Sequence, residues 1–332
     1  MTAEFDLIAR IRAHAAAAPR RGDVVLGIGD DAALLQPPVD QQIVVAMDTL
    51  NVGVHFPDDT APGDIGWKSL AVNLSDLAAM GADPAWCTLS LSLPGADAAW
   101  VDAFLDGFGA LAAVHGVTLV GGDTTRGPLS VCVAAHGFVP PGQALRRDGA
   151  RPGDGVWITG TVGEAAAALA QWRAGSGPVD APLRARLDRP TPRVDVGLRL
   201  RGVASACIDV SDGVVADLGH LCSASAVGVE LAIDALPWTE LLRSRFDLDA
   251  RRALQAGGGD DYELCFTAPA AASSDVAAIA EATGVQIVRV GTVVDARGQG
   301  DSVRAFDADG VAWHADVRGH EHFAIARSDR PG

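Results

Sequence analysis

Gly27-Ile28-Gly29-Asp30-Asp31 near the start of the chain and Gly257-Gly258-Gly259-Asp260-Asp261 near its end each set a pair of acids behind small residues. Between them lie Asp48 in Met-Asp-Thr, Asp76 in Asn-Leu-Ser-Asp, Asp123 in Gly-Gly-Asp-Thr-Thr-Arg, and Asp209 and Asp212 in Ile-Asp-Val-Ser-Asp-Gly. Most of these carboxylates follow a short apolar run, which places them where strands end and loops begin. An Asp after Gly also serves as a turn residue or helix N-cap. Repeated along one chain, the pattern asks for more, because clustered short acids repel one another unless cations sit among them. Hard divalent cations take oxygen ligands, and Mg²⁺ typically brings phosphate with it. The pattern is that of a metal-dependent nucleotide enzyme.

Outward from these motifs, the chain alternates strands and helices. Val24–Ile28 and Ile43–Met47 read as strands, each delivering its Asp at the carboxyl end. Pro62 to Met80 carries Ile65, Leu70, Leu74, Leu77 and Ala78 at helix spacing and ends before Gly81. Trp86–Leu93 reads as a strand, Ala98–Val114 as a helix, and Thr118–Val120 and Ser130–Val139 as strands. The second half restarts with a strand at Val156–Thr159 and an Ala-rich helix over Glu164–Ala174, followed by a loop at Gly175–Pro182. A helix opens after Arg189-Pro-Thr-Pro, and another follows Ser211-Asp212. Cys207–Val210, Val229–Ile233, Tyr262–Thr267 and Gln286–Val290 read as strands, with a helix around Ala270–Thr283. The fold class is therefore α/β or α+β. Pro140-Pro-Gly and Ala150-Arg-Pro-Gly-Asp-Gly bracket a short polar segment, which divides the chain into domains at 1–148 and 149–332.

Composition excludes several classes. The 332 residues suit about two domains, and 48% hydrophobic content is ample for their cores. No stretch is long and apolar enough to span a bilayer, so no membrane is expected. Glu4 and Asp6 interrupt any signal-peptide pattern. Cys87, Cys132, Cys207, Cys222 and Cys265 are isolated and form no CxxC, as expected of reduced thiols in a cytoplasmic protein. The net charge of −16 argues against nucleic acid as a partner. Lys68 is the only lysine and lies in Gly-Trp-Lys-Ser, so no GxxxxGK[ST] phosphate cradle exists.

The motifs differ in what they can do. Asp30 and Asp31 lie in a glycine turn whose exposed amides can meet anions; whether Asp30 and Asp261 are ligands or structural stays open. Gly121-Gly122-Asp123-Thr124-Thr125-Arg126 joins a flexible turn, a metal-type acid, hydroxyls and a guanidinium able to fork onto phosphate. Asp209 and Ser211 share one face of a strand end. Asp212 then precedes Val214, Val215, Leu218 and Leu221 as an N-cap would, and a helix N-terminus there makes a phosphate site. His55 follows the Asp48 strand in a loop. No Ser-His-Asp order or Cys-His pairing stands out, and His320 and His322 lack metal-type partners in sequence.

Taken in order, these motifs resemble bacterial thiamine-monophosphate kinase, within the superfamily of aminoimidazole ribonucleotide synthetase. The resemblance runs essentially end to end. It is carried by Glu4-Phe-Asp-Leu-Ile-Ala, Gly-Ile-Gly-Asp-Asp, Asp48-Thr, His55-Phe, Ala71-Val-Asn-Leu-Ser-Asp-Leu-Ala-Ala-Met-Gly-Ala-Asp-Pro, Gly-Gly-Asp-Thr-Thr-Arg-Gly, Ile-Asp-Val-Ser-Asp-Gly, Gly-Asp-Asp-Tyr-Glu-Leu and Gly319-His-Glu-His-Phe. The selenophosphate branch carries a reactive Cys near its N-terminus and the hydrogenase branch a terminal one; here the first is Cys87 and the last Cys265.

The resemblance implies ATP-dependent phosphorylation of thiamine monophosphate to thiamine diphosphate in a two-domain α/β fold whose N-terminal strands pair across a homodimer. It implies Mg²⁺ ligands at Asp31, Asp48, Asp76, Asp123, Asp209 and Asp212. Where the family often has Ser/Thr-Thr before Asp48, this chain has Ala46-Met47, so a metal contact by Met47 would use backbone oxygen. ATP contacts are implied at Gly122, Asp123, Arg147 and Ser211, and substrate contacts at His55, Asp260 and His320. The Asp260 position is commonly Glu in the family, and the His320 position commonly aromatic. A phosphomonoester acceptor is already ionised near neutral pH, since its second pKa is about 6. Direct in-line transfer therefore needs no side-chain base, and no catalytic residue is assigned. The rival readings are a related ATP-dependent synthetase and a non-catalytic ATP–Mg²⁺ binding protein.

Overall fold

The computed structural model describes residues 4–17, 21–175, 177–296 and 302–314, and two sheets organise them. The first half runs α1 (Glu4–Ala17), β1 (Val24–Leu26), β2 (Leu34–Leu35), β3 (Gln42–Asn51), α2 (Pro62–Ala79), β4 (Asp83–Leu93), α3 (Ala98–His115), β5 (Thr118–Arg126) and β6 (Ser130–Val139). Its four long strands pair in the order β3-β6-β4-β5, with β4 and β5 parallel and the other pairs antiparallel. The second half runs β7 (Gly155–Thr159), α4 (Glu164–Ala174), α5 (Ala181–Asp188), α6 (Val194–Leu200), β8 (Ala206–Val210), α7 (Val214–Ser225) and β9 (Val227–Ala232). It continues with α8 (Glu240–Arg245), α9 (Leu248–Gly257), β10 (Glu263–Ala268), α10 (Ser273–Thr283), β11 (Ile287–Asp295), β12 (Val303–Phe306) and β13 (Ala312–Trp313). Its sheet has the order β13-β12-β9-β11-β7-β10-β8.

Helix α2 is the element on which the site depends. It opens on Pro62, whose fixed φ suits the first helical turn, and stops at Met80 before Gly81 turns left-handed at φ 63°. It is buried on nearly every side because it lies at the seam of the two halves. One hydrophobic core joins α2 and α3 to the inner face of the four-stranded sheet, and continues into α6, α10 and residues of β8 and β10. Helix α7 closes a second core on the larger sheet through Val214, Leu218 and Leu221. Glycine lets α2 and α3 touch backbone to backbone: a Cβ at Gly66 would lie 2.0 Å from the Phe104 carbonyl oxygen.

Strand β3 is an edge strand with two unlike faces. Val44, Ala46 and Leu50 turn toward α2, whereas Ile43, Val45 and Met47 stand 47, 60 and 66% exposed on the outer face.

Three expectations about placement are corrected. Asp48 lies within β3 and Asp123 within β5, rather than where strands give way to loops, whereas Asp76 lies in the last turn of α2, inside the helix read from the sequence. Gly121–Arg126 is not a turn but the continuation of β5 alongside β4. Gly122, at φ 151°, packs so closely on β4 that a Cβ would sit 1.8 Å from the Leu89 carbonyl oxygen. Close strand approach, not a turn, requires that glycine. Helix α5 begins inside the stretch read as a loop, and α8 and α9 are short helices that the apolar spacing did not mark. Among the described residues no helix is long and apolar enough to cross a membrane.

Candidate functional site

Lys68, Val72 and Asp76 are spaced four apart on α2 and form one stripe along it, about 12 Å from end to end at 1.5 Å per residue. Val72 and Asp76 line a cavity of about 920 Å³ at the seam of the two halves, and Lys68 lies one turn earlier, 1% exposed. Asp48 and His55 come to this cavity from the first half, and Asp209, Ser211, Asp212, Asp260 and Tyr262 from the second.

Asp48, Asp76 and Asp209 meet at one end. Asp48 and Asp76 share a hydrogen bond, and the charges of Asp48 and Asp209 both act on Asp76. Burial first, and then those two charges, push the Asp76 carboxyl up to about 8. Burial likewise raises Asp48 and Asp209. Arg147 works in the opposite direction on Asp76 and Asp209. Neighbours on α2 fix these acids: Asn73 Oδ1 accepts the Asp48 amide at 3.1 Å, and the Ser75 hydroxyl donates to Asp209 at 2.7 Å. Carboxylates crowded this way, one buried and two half-buried, are short of positive charge, and an oxygen-seeking divalent cation fits that donor set. Among the described residues no three or more His, Cys, Asp or Glu are already gathered tightly enough to hold an ion alone. Mg²⁺ usually keeps water and phosphate oxygens in its shell, so a partial protein set suits it.

The Asp212 capping expectation is corrected. Gly213 caps α7 with no side-chain hydrogen bond. The amides of Ser211, Asp212 and Gly213 instead donate to Asp217 Oδ2 at 3.0, 3.0 and 3.1 Å. Asp217, pushed up to about 7 by burial and then by the Asp209 charge, thus occupies the amides that sequence reading offered to phosphate. Asp261 is buried, 2% exposed, does not line the cavity, and accepts the Gly163 amide at 3.0 and 2.8 Å. Beneath it, buried Glu263 is held by Thr159, Arg186 and Arg193.

Asp260, whose amide donates to the Ser211 carbonyl at 2.9 Å, receives at Oδ1 the Lys68 ammonium at 3.0 Å and the Tyr262 hydroxyl at 3.2 Å. Lys68 also donates to the His55 carbonyl at 2.9 Å. His55 Nδ1 accepts the Asn51 amide at 3.0 Å. In the neutral ring that bond assigns the proton to Nε2, making it a donor.

Several expected site residues stand apart. The register runs Asp48 to Val133, Val133 to Leu89 and Leu89 to Gly122 across the four-stranded sheet, which separates its two edges by about 14 Å. Val133 and Leu89 belong to the inner core, so Asp48 is on the inner face. Asp123 pairs with Ser90 one residue on and is therefore on the outer face, with Met47. Asp31 is exposed and does not line the cavity; its amide donates to Asp30 Oδ1. Arg147 lines a neighbouring cavity of about 240 Å³ that Asp76 also borders. His320 lies outside the described residues. Sequence reading missed Asn73, Ser75, Asp217 and Tyr262, and used Lys68 only to exclude a P-loop. The signal for Lys68 was its place on the Asp76 helical stripe.

Comparison with known proteins places this geometry. Residues 29–139 match the family model of the AIR synthase related protein N-terminal domain, and residues 151–303 that of the C-terminal domain. The chain is 44% identical over 326 residues to thiamine-monophosphate kinase of Salmonella typhimurium, covering 97% of this chain and 98% of that one. It is 43% identical, with the same coverage, to the enzyme of that name from Escherichia coli K12. Among solved structures, thiamine-monophosphate kinase from Stenotrophomonas maltophilia K279a superposes with a TM-score of 0.85 at 53% identity, covering 94% of this chain and 98% of that one. AaThiL complexed with AMPPCP and TMP superposes with a TM-score of 0.75 at 29% identity, covering 96 and 97%.

Proposed function

The chain belongs to the AIR synthase related family, in its thiamine-monophosphate kinase branch, and from that premise we propose that it transfers the γ-phosphoryl group of ATP to thiamine monophosphate, giving thiamine diphosphate and ADP. One observation carries this reading: three acids, Asp209 buried and Asp48 and Asp76 half-buried, meet in a large cavity in a chain related over its whole length to kinases of that activity. A related structure holds AMPPCP together with TMP, which supports the same pair of substrates here.

Both substrates are anions, and phosphoryl transfer asks mainly for in-line positioning and charge neutralisation. Asp48, Asp76 and Asp209 would hold Mg²⁺ at the cavity end, with Asp212 close by and Asp31, Asp123 and the Met47 backbone as further ligands. Bound Mg²⁺ would supply the positive charge that lets two phosphates approach. Arg147, Gly122, Asp123 and Ser211 are proposed for the ATP side, and His55 and Asp260, with His320, for the substrate side. The acceptor oxygen is already ionised near neutral pH. His55 Nδ1 is engaged by the Asn51 amide, so that nitrogen is not the base. Transfer is therefore direct, without a phosphoenzyme.

A homodimer completes this reading. The exposed apolar face of β3 suits a second copy, and Asp123 shares that outer face. The proposed domain division at 148/149 is supported by the gap between the two sheets, from Val139 to Gly155. The test is product analysis with thiamine monophosphate, ATP and Mg²⁺. Equimolar thiamine diphosphate and ADP, abolished by chelation and restored by Mg²⁺, are expected. ADP without thiamine diphosphate, or full turnover in excess EDTA, overturns the proposal.

A further inference from the structure

Lys68 is the single lysine of a chain that uses arginine for every other basic side chain except histidine. It is also among the most deeply buried polar residues, at 1% exposure. An unpaired ammonium could not stay there. Its Nζ is satisfied by two acceptors from opposite halves of the molecule: the His55 carbonyl at 2.9 Å and Asp260 Oδ1 at 3.0 Å. A compact ammonium can aim separate donors at separate segments, whereas a guanidinium presents a planar fork.

Asp260 is the residue this arrangement controls. Its side chain is 25% exposed and lines the cavity. Its backbone is left-handed at φ 69°, as is that of Tyr262 at φ 50°, conformations that surrounding contacts must hold in non-glycine residues. Lys68 and Tyr262 both bind Oδ1. Among the described residues Oδ2 has no donor, so it is the oxygen left for a ligand. Along α2, Lys68 lies about 12 Å from Asp76. The Asp260 amide donates to the Ser211 carbonyl at 2.9 Å, so its backbone stands beside the Asp209–Asp212 segment while its side chain turns to Lys68; a ligand with its phosphate among Asp48, Asp76 and Asp209 can turn its other end to that side chain. In thiamine monophosphate that other end is an aminopyrimidine, which carries N–H donors.

We propose that Lys68 is a positioning residue: it clamps Asp260 to the His55 loop so that Oδ2 accepts an N–H from the substrate's amino-bearing ring, and so sets specificity on the Lys68 side of the cavity. This rests on the kinase reading above. Lys68 touches the Asp260 side chain and the His55 loop, both proposed for the substrate side, so disturbance of Lys68 registers on thiamine monophosphate far more than on ATP.

Two measurements test it. Because there is one lysine, protein labelled with [¹³Cε]lysine gives a single lysine side-chain resonance. Thiamine monophosphate should shift that resonance, and AMPPCP with Mg²⁺ alone should leave it in place. Kinetically, Lys68→Met should raise the KM for thiamine monophosphate about tenfold or more, the effect of misplacing one charge-assisted hydrogen bond, with the KM for ATP nearly unchanged. Asp260→Asn should do the same, and the double variant should be no worse than either alone. Additive losses, equal effects on both substrates, or an unmoved resonance in protein saturated with thiamine monophosphate overturn the proposal. If Lys68→Met does not fold, the labelled wild-type protein still decides. Failure of the kinase reading is distinguishable, because the wild type would then form no thiamine diphosphate.

Discussion

At the scale of single residues, the site is defined by acids placed where they are least comfortable. Asp76 is the extreme case: burial and the neighbouring Asp209 and Asp48 charges raise it from 3.8 to about 8. If these acids hold the ions that join the substrates, Asp48→Asn and Asp76→Asn should each lower kcat/KM at least about a hundredfold, or roughly 2.7 kcal/mol of barrier. Most activity remaining in both variants would remove them from the site. The same strain has a signature in stability. A carboxyl raised in the folded state binds its proton more tightly there than in the unfolded chain. Unfolding therefore releases protons between pH about 4 and about 8, and stability falls as pH rises through that window. Asp48 and Asp209, also raised, act with the same sign. Metal-free protein should lose thermal midpoint across that range, and Mg²⁺ should shrink the loss; a midpoint that climbs would contradict this. His55→Gln should weaken the KM for thiamine monophosphate while the low-pH limb of kcat stays near phosphate ionisation. Were His55 the base, that limb would vanish and kcat would fall by about 10²–10⁴.

At the scale of elements, α2 decides most of the outcome. Its apolar spacing and flanking Pro62 and Gly81 were legible in the sequence, and so was the Asn73–Asp76 motif. Which of its faces met which partner was not, because Lys68, Asn73 and Ser75 act on residues brought in from other elements: Asp260, Asp48 and Asp209. Asp217 was hidden for a related reason, since its partners are three backbone amides rather than side chains. Strand β5 shows how glycine can mislead. Gly121-Gly122 carries the signature of a turn, but Gly122 is required by contact with Leu89 across the sheet. Gly122→Ala, whose new Cβ would fall 1.8 Å from a backbone oxygen, should cost at least about 2 kcal/mol of stability by overpacking. Unfolding in denaturant measures it, and an unchanged midpoint would show that β5 can move away from β4.

At the scale of the whole molecule, the ordered motifs carried the two-domain fold and its family, because each sits at a fixed place in a shared architecture. What they could not carry was the relation between Asp48 and Asp123, which occupy opposite edges and faces of one sheet within a subunit. A second copy on the outer face of β3, as proposed above, would bring a further Asp123 to the assembly. Val45→Glu, placing charge on that apolar face, should turn a dimer into a monomer by light scattering and lower activity with it; a wild type already monomeric would refute that assembly. The central claim remains the direct passage of one phosphoryl group between two bound substrates. Single-turnover quench of the enzyme with [γ-³²P]ATP, Mg²⁺ and thiamine monophosphate tests it most directly. Direct transfer predicts label passing from ATP to thiamine diphosphate alone, with none on protein at any time. Label on the protein, or in inorganic phosphate without thiamine diphosphate, would contradict it.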